Sequence, residues 1–330
     1  MTEFGGPESM VPGDAPEPDA GPGQVVVDVA VAGMTFVETQ IRRGVDRWHE
    51  RPPLPYVPGG LVAGVVTTVG ERVDPAWRGR RVVTMTGDTG GFAERAVAAE
   101  EDLFPVPDGV SLAEAAALYS DGSTAQGLVE RAGIVAGDRV LVEAAAGGLG
   151  TLLVQLCLAA GAQVAGAARG PRKLEVVRGL GADAVVDYAE PGWAERVFEA
   201  KGPSVVFDGV GGRIGRAAFE VTARGGRFSV HGASSGDVTA IDAAQARERG
   251  IQVIGIEQLF DFRAHMRRWA TEILAHAAAG TVRPVIGQTF PLERAADAHR
   301  AVEDRTALGK TLLLVRTAEG RSPGAAGDPV

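Results

Sequence analysis

The sequence of 330 residues contains one cysteine, Cys157, so it can hold neither a disulfide framework nor a cysteine-rich zinc site. Cys157 lies in an apolar helical run, where a thiol behaves as a small hydrophobe. Basic charge is also short: 33 Lys and Arg stand against 42 Asp and Glu, a net charge of −9 with pI near 5.2. That balance argues against nucleic acid, which selects basic faces. No stretch approaches the roughly 18 apolar residues needed to span a bilayer, no signal peptide opens the chain, and no internal repeat is visible. The expectation is a soluble protein of a reducing compartment, the cytoplasm.

What the chain does have is apolar content of 45% and length enough for two domains of about 100–200 residues. Its organising stretch runs from Asp138 to Asp187. Arg139-Val140-Leu141-Val142-Glu143 is a short apolar run of the kind that forms a buried strand. Ala144-Ala145-Ala146-Gly147-Gly148-Leu149-Gly150 follows, then a helical run stopped by Gly161. Strand, glycine-rich turn and helix together make a phosphate-binding device. The glycines admit a pyrophosphate close to the backbone, and free N–H groups at the helix start face its charge.

A second strand, 163–168, ends where the adenosine ribose of a dinucleotide would lie. NAD-binding versions place an acid there to hold the ribose 2′-hydroxyl. Here Ala168 is followed by Arg169, then Arg172 and Lys173, with no carboxylate at that strand end to repel a 2′-phosphate. The pattern predicts NADPH. The plainer reading of Arg172 and Lys173 is a solvated first helical turn.

Residues 1–24 are rich in Gly, Pro and acids and read as edge segments and turns. Strands are expected near 25–31, 61–69, 81–85 and 92–97, with prolines 52, 53, 55 and 58 making 46–60 a structured loop. This first part is an all-β, barrel-like unit. Ser111-Leu112-Ala113-Glu114 has the form of a helix start, and Gly122 is expected to interrupt the helix that follows. Strands near 139–144, 163–168, 184–187, 204–208, 227–231 and 252–256, with helices between most of them, predict a doubly wound parallel sheet. An amphipathic helix over 264–280 leads to short strands at 282–285 and 288–290, a helix over 292–303 and a last strand at 310–315. This tail suits the first unit, so the chain should return to it. Residues 316–330 are expected to be frayed.

Several motifs along the chain resemble those of one family. Phe4-Gly5-Gly6-Pro7-Glu8, Pro53-Leu54-Pro55-Tyr56-Val57-Pro58-Gly59 and Val62-Ala63-Gly64-Val65-Val66 lie in the first part. The turn at 144–150, Lys173-Leu174-Glu175, Phe207-Asp208-Gly209-Val210-Gly211-Gly212, Gly232-Ala233-Ser234-Ser235-Gly236 and Gly309-Lys310 continue the pattern. Together they resemble the medium-chain dehydrogenase/reductase superfamily, in particular its zinc-free quinone oxidoreductase (zeta-crystallin-like) branch. The resemblance implies a Rossmann-type doubly wound parallel sheet plus a GroES-like β-barrel domain formed from both chain ends. It sets the barrel at 1–122 and 268–330 and the NADPH-binding domain at 123–267.

Zinc-dependent relatives carry Cys where this chain has Thr35 and a His-Glu pair where it has Gly60-Leu61, so the resemblance implies no metal. It also implies the cofactor contacts: Ala146, Gly147, Gly148, Leu149 and Gly150 at the pyrophosphate; Arg169, Lys173 and Tyr188 at the 2′-phosphate and adenine; Thr124, Val210, Gly211, Gly232 and Ala233 toward the nicotinamide. For Gly147, Gly148 and Gly150 tight strand–helix packing is a compatible second role. The implied reaction is hydride transfer from nicotinamide C4 to a quinone or an α,β-unsaturated carbonyl. Tyr56, Thr35 and Asp121 are candidates for polarising the carbonyl, with Trp48 and Leu61 as pocket wall. The chain departs from the branch at Thr35, Gly60, Leu61 and Asp121, which bears on the substrate rather than the cofactor. His231, ending a strand beside the cofactor turn, is either a contact or a satisfied structural histidine. His49, His265, His276 and His299 are expected to face solvent. An enoyl-thioester reductase and a nucleotide-binding protein with little turnover are the alternatives. Relatives pair through an edge strand, and Gln252-Val253-Ile254-Gly255-Ile256 suits such pairing, so a homodimer is expected.

Overall fold

The computed structural model describes residues 1–315 and separates into two units, Met1–Ser120 with the chain from Ile286 on, and Asp121–Val285. In the first unit strand β1, Gln24–Met34, is the hub, because almost every residue along it is buried. Helix α1, Phe36–Arg43, follows at once and ends on Gly44 at φ +71°, a left-handed cap that glycine adopts freely. The sequence holds its signal, a hydroxyl at Thr35 with an acid three residues later at Glu38, which the prolines that follow overshadow. Strands β2 (Leu61–Val69), β3 (Arg81–Met85), β4 (Arg95–Ala99) and β5 (Phe104–Pro105) complete this stretch.

Helix α2, Leu112–Ala132, starts as the spacing predicts: the Ser111 N–H donates to the Glu114 carboxylate at 2.8 Å and the Glu114 N–H returns to Ser111 Oγ at 3.1 Å. The expected interruption at Gly122 does not occur. A Cβ there would lie 2.6 Å from Ile273 Cγ1, so the glycine admits a neighbouring helix instead of breaking its own.

The second unit alternates strand and helix: β6 (Arg139–Val142), α3 (Gly148–Ala159), β7 (Gln163–Ala168), α4 (Pro171–Gly179), β8 (Ala184–Asp187) and β9 (Val205–Asp208). Then come α5 (Gly212–Val221), β10 (Arg227–Val230), α6 (Ala243–Arg249), β11 (Gln252–Ile254), α7 (Gln258–Asp261) and α8 (Met266–Ala278). The six strands pair in parallel in the order β11-β10-β9-β6-β7-β8. Parallel strands covered by helices on both faces are apolar throughout, as Val140, Leu141, Val142, Val205, Val206 and Phe207, all 0% exposed, confirm.

The tail is β12 (Ile286–Pro291), α9 (Ala295–Glu303) and β13 (Lys310–Leu314). It joins the first unit in a seven-stranded sheet, β12-β13-β1-β2-β3-β5 with β4 on β1. The return falls at 286 rather than 268, and the first boundary at 120 rather than 122. Buried Trp269, Ala270, Ile273 and Leu274 hold α8 in the second unit, where Gly122 and Gly127 leave room for Ile273 and Trp269. The strand expected at 282–285 is irregular chain of that unit. The expectation for 316–330 lies outside the described residues.

Candidate functional site

Between β6 and β9 the order of the second sheet reverses: the chain leaves β6 for β7 and β8, then crosses back to β9 on the other side. At such a point the two following loops part, and the crevice lies at the carboxyl ends of the strands. The glycine-rich turn follows β6, with Ala144 in the left-handed region at φ +49° and its carbonyl accepting the Gly147 N–H at 2.9 Å. Gly147 is the N-cap of α3 and supplies no side-chain cap. First-turn amides have no helical carbonyl to meet, and with the helix dipole they attract an anion.

Two glycines of the turn do different work. A Cβ at Gly147 would meet only the Ala144 carbonyl, at 3.3 Å, so the approach to the amides is open. A Cβ at Gly150 would lie 2.8 Å from Ala145 Cα and still closer to the Ala144 carbonyl, so that glycine seats the helix on the turn. The packing role is thus seen at Gly150, while Gly147 leaves the amides accessible. Ala146 is 2% exposed, and Leu149 lies on the first turn of α3 with Gly148. These features fit a diphosphate.

At the far end, Arg169 is exposed after β7 and its guanidinium stands 5.9 Å from the Tyr188 ring centroid; Lys173 sits on the first turn of α4. Contrary to the expectation from the β7 end alone, a carboxylate does stand here. Asp187 ends the parallel neighbour β8 opposite Ala168, and its Oδ2 accepts the Gly170 N–H at 2.9 Å, with Oδ1 on the Ala189 N–H at 2.8 Å. A sequence scan of one strand end misses an acid delivered by the adjacent strand. Both oxygens of Asp187 shape the turn after Arg169.

On the other side of the crevice, the Val210 and Gly211 N–H groups donate to Asp208 Oδ1 at 3.1 and 2.7 Å, folding the loop after β9. The Gly232-Ala233 turn after β10 is laced to it, Ser234 N–H to the Gly209 carbonyl at 3.3 Å and Ser235 N–H to Val210 at 2.9 Å. Thr124 and Asp121 are half-buried on α2.

The other expected residues belong to the first unit. The Thr35 side chain closes a capping box with Glu38, whose Oε2 accepts the Thr35 N–H at 2.7 Å and whose Oε1 accepts the Gly60 N–H at 3.2 Å. Burial raises the Glu38 pKa against the lowering effect of those amides and of Lys310. Glu38 thus stands between two positions, Thr35 and Gly60, singled out from the sequence, and was missed there. Tyr56 packs near Phe4, ring centroids 6.1 Å apart, and burial raises the pKa of its hydroxyl. Trp48 is 49% exposed, whereas Leu61 is 2% exposed against Gly33, so Leu61 is a core side chain and Trp48 a surface one. Among the described residues no three His, Cys, Asp or Glu side chains gather as a metal would require.

His299 does not face solvent. It is fully buried, its Nδ1 accepts from Arg42 Nε at 3.2 Å, and burial, with the Arg42 charge beside it, pushes its pKa down to about 3. The α9 face that looked polar in sequence packs on Arg42, itself 0% exposed and bonded to Gly5 and Glu303. His231 is buried as well; its Nδ1 is shielded without a well-formed hydrogen bond, while the Ser229 backbone and Asp208 both act on the ring.

A doubly wound parallel sheet with an uncapped glycine turn at its switch point, in one chain with a seven-stranded sheet built from both chain ends, defines a dinucleotide-fold protein with an appended barrel unit. Family models agree: residues 21–108 match the alcohol dehydrogenase GroES-like domain, and 180–313 match a model described as zinc-binding dehydrogenase. The quinone oxidoreductase of Sus scrofa is 32% identical over 319 residues, covering 95% of this chain and 96% of the relative. The crystal structure of Escherichia coli quinone oxidoreductase complexed with NADPH superposes with a TM-score of 0.86 at 27% identity, covering 95% and 98%. One of an NAD-dependent alcohol dehydrogenase gives 0.84 at 31%, covering 96% and 98%. The chain belongs to the medium-chain dehydrogenase/reductase superfamily, and to its quinone oxidoreductase (zeta-crystallin-like) branch.

Proposed function

We propose that this chain is an NADPH-dependent, zinc-independent oxidoreductase that reduces a quinone or an α,β-unsaturated carbonyl. The observation that carries the reading is the uncapped first turn of α3 at the switch point, with Arg169 and Lys173 at the adenosine end. The pig and E. coli quinone oxidoreductases support the choice of acceptor. When bound, the coenzyme supplies the hydride. The amides after Gly147 hold the diphosphate, Arg169 and Lys173 take the 2′-phosphate beside Tyr188, and Val210, Gly211, Gly232, Ala233 and Thr124 border the nicotinamide.

In such chemistry much of the rate comes from alignment and the exclusion of water, so few acid–base groups are needed. Tyr56, kept protonated by its raised pKa, is the first candidate to donate to the acceptor carbonyl, ahead of Thr35 and Asp121. The first of these is the better placed chemically, because Thr35 is already engaged with Glu38. Zinc independence rests on side-chain chemistry: Thr35, Gly60 and Leu61 offer no thiolate, imidazole or carboxylate, and Glu38 spends its oxygens on two amides.

The test is NADPH oxidation, with and without a chelator, across a panel of quinones, enones and enoyl thioesters. Turnover of quinones or enones, unaffected by chelation, is the expected result. Turnover confined to enoyl thioesters would replace the acceptor class, and tight NADPH binding with no turnover would make the chain a binding protein.

We also propose a homodimer. Strand β11 is an edge of its sheet, and Val253 on it is 40% exposed. An unpaired apolar edge invites a second copy. Light scattering at micromolar concentration should give twice the 34.1 kDa chain mass; a monomer mass overturns this.

A further inference from the structure

Two carboxyl groups lie side by side under the crevice of the second unit. The register of β6 on β9 sets Val142 beside Phe207, so the next pair is Glu143 and Asp208, and the Glu143 N–H donates to the Phe207 carbonyl at 3.0 Å. Both side chains are 0% exposed. Asp208 is fully supplied with donors: Val210 and Gly211 N–H on Oδ1, and the Thr239 hydroxyl on Oδ2 at 2.5 Å. Gly215 keeps space for that contact, since a Cβ there would lie 2.6 Å from Asp208 Oδ2.

Neither Glu143 oxygen has a well-formed hydrogen bond; the Val210 N–H, committed to Asp208 Oδ1, stands near enough to oppose the rise in its pKa weakly, and the carboxyl lies within hydrogen-bonding reach of Asp208. Two buried carboxyls in contact cannot both ionise, because each charge loses its water and repels the other. The one with three donors is the stable anion. The proton therefore belongs on Glu143, where it satisfies one orphaned oxygen by donating to Asp208. Burial, joined by the Asp208 charge, holds the Glu143 pKa well above the usual carboxyl range.

The surrounding elements add no counter-charge. From β10 comes His231, whose N–H donates to the Asp208 carbonyl at 2.9 Å and whose ring sits edge-on to Phe207; burial keeps it neutral despite Asp208. From β7 residues 165–168, from α3 residues 148–151 and from α5 Gly215 bring no titratable side chain. One proton and one negative charge are shared by the loop after β6 and the loop after β9.

We propose that Glu143 is a positioning residue: as a neutral acid bonded to Asp208 it ties the turn at 144–150 to the turn at 209–211, and loss of its proton at alkaline pH loosens both and weakens dinucleotide binding. The proposal rests on the NADPH reading of the crevice. The sign follows from the raised pKa. The folded chain keeps a proton the unfolded chain sheds near the ordinary value of about 4.3, so the stabilisation is full below that value and is lost as pH rises through the raised one.

Glu143→Gln keeps the shape and a donor but cannot ionise. NADPH dissociation constants, from coenzyme fluorescence, should rise with pH above neutrality for the wild-type chain, by about tenfold for each pKa unit that coenzyme binding adds to Glu143. For Glu143→Gln the rise should be markedly smaller, and its melting temperature should fall less over the same range. Titration of coenzyme-facing lysine is common to both proteins, so the difference between the curves isolates Glu143. Equal slopes overturn the proposal. A second measurement does not depend on the Glu143 variant folding: infrared spectra at neutral pH should contain a buried protonated-carboxyl band that shifts with 13C-glutamate and persists in Glu38→Gln, which removes the other buried glutamate. Absence of that band also overturns it. Failure to bind NADPH at any pH would instead remove the coenzyme reading, while the infrared band and the melting curves still decide the state of Glu143.

Discussion

Gly150→Val is expected to abolish dinucleotide binding, with loss of at least about a hundredfold in affinity. The first atom of any side chain there would meet the Ala144 carbonyl and Ala145 Cα, both backbone, so neither can swing away as a side chain would. The turn must move or α3 must lift, and either displaces the first-turn amides from the diphosphate. A displacement of about 1 Å is enough to cost two orders of magnitude where amides must point at one anion. Overpacking of a tight backbone contact should also lower stability by about 1–3 kcal/mol. Calorimetric titration with NADPH beside far-ultraviolet circular dichroism and a melting curve separates the two effects. A folded Gly150→Val chain that binds NADPH normally would remove the glycine turn from the site.

The second large effect concerns the choice between coenzymes. Removing both cations, Arg169→Ala with Lys173→Ala, should weaken NADPH binding roughly 30- to 100-fold and leave NADH within about threefold. A hydrogen bond to a charged group contributes about 1.5–3 kcal/mol, and solvent at the exposed Arg169 brings the sum of two down to roughly 2–3 kcal/mol. The loss should shrink as salt rises, since exposed charges are screened within about 10 Å at 0.1 M. Asp187 sharpens the test. Its oxygens accept the Gly170 and Ala189 amides, so it shapes the turn after Arg169, and the double variant leaves that carboxylate without the two cations. Binding curves for NADPH and NADH on the double variant decide it: an equal loss for both would mean that the cations hold the diphosphate or the fold rather than the 2′-phosphate.

Much of the second unit is legible because its cues are local. The runs 139–142, 163–168 and 205–208 are apolar without alternation, as buried parallel strands must be, and the glycine turn sits between a strand and a helix. The helix start at Ser111 and Glu114 is local in the same sense. Other features were misread because their reasons lie far along the chain. Gly122 looks like a helix breaker until Ile273 is seen against it. His299 looks solvent-facing until Arg42, 257 residues away, takes its Nδ1. Glu143 passes for the end of a strand, and Asp187 for the end of another, until neighbouring strands bring Asp208 to the first and Gly170 to the second.

By itself, then, the sequence determined the alternation of elements, the doubly wound sheet, the return of the chain to its first unit, and the turn on which a dinucleotide would lie. These follow from periodicity, from glycine and from helix-start chemistry, which act over a few residues. Tertiary structure alone decided which carboxyls are buried side by side, which glycines pack and which leave an opening, and where the second unit ends. Protonation and close packing depend on burial and on partners brought together from distant strands, and no window of neighbouring residues contains that information.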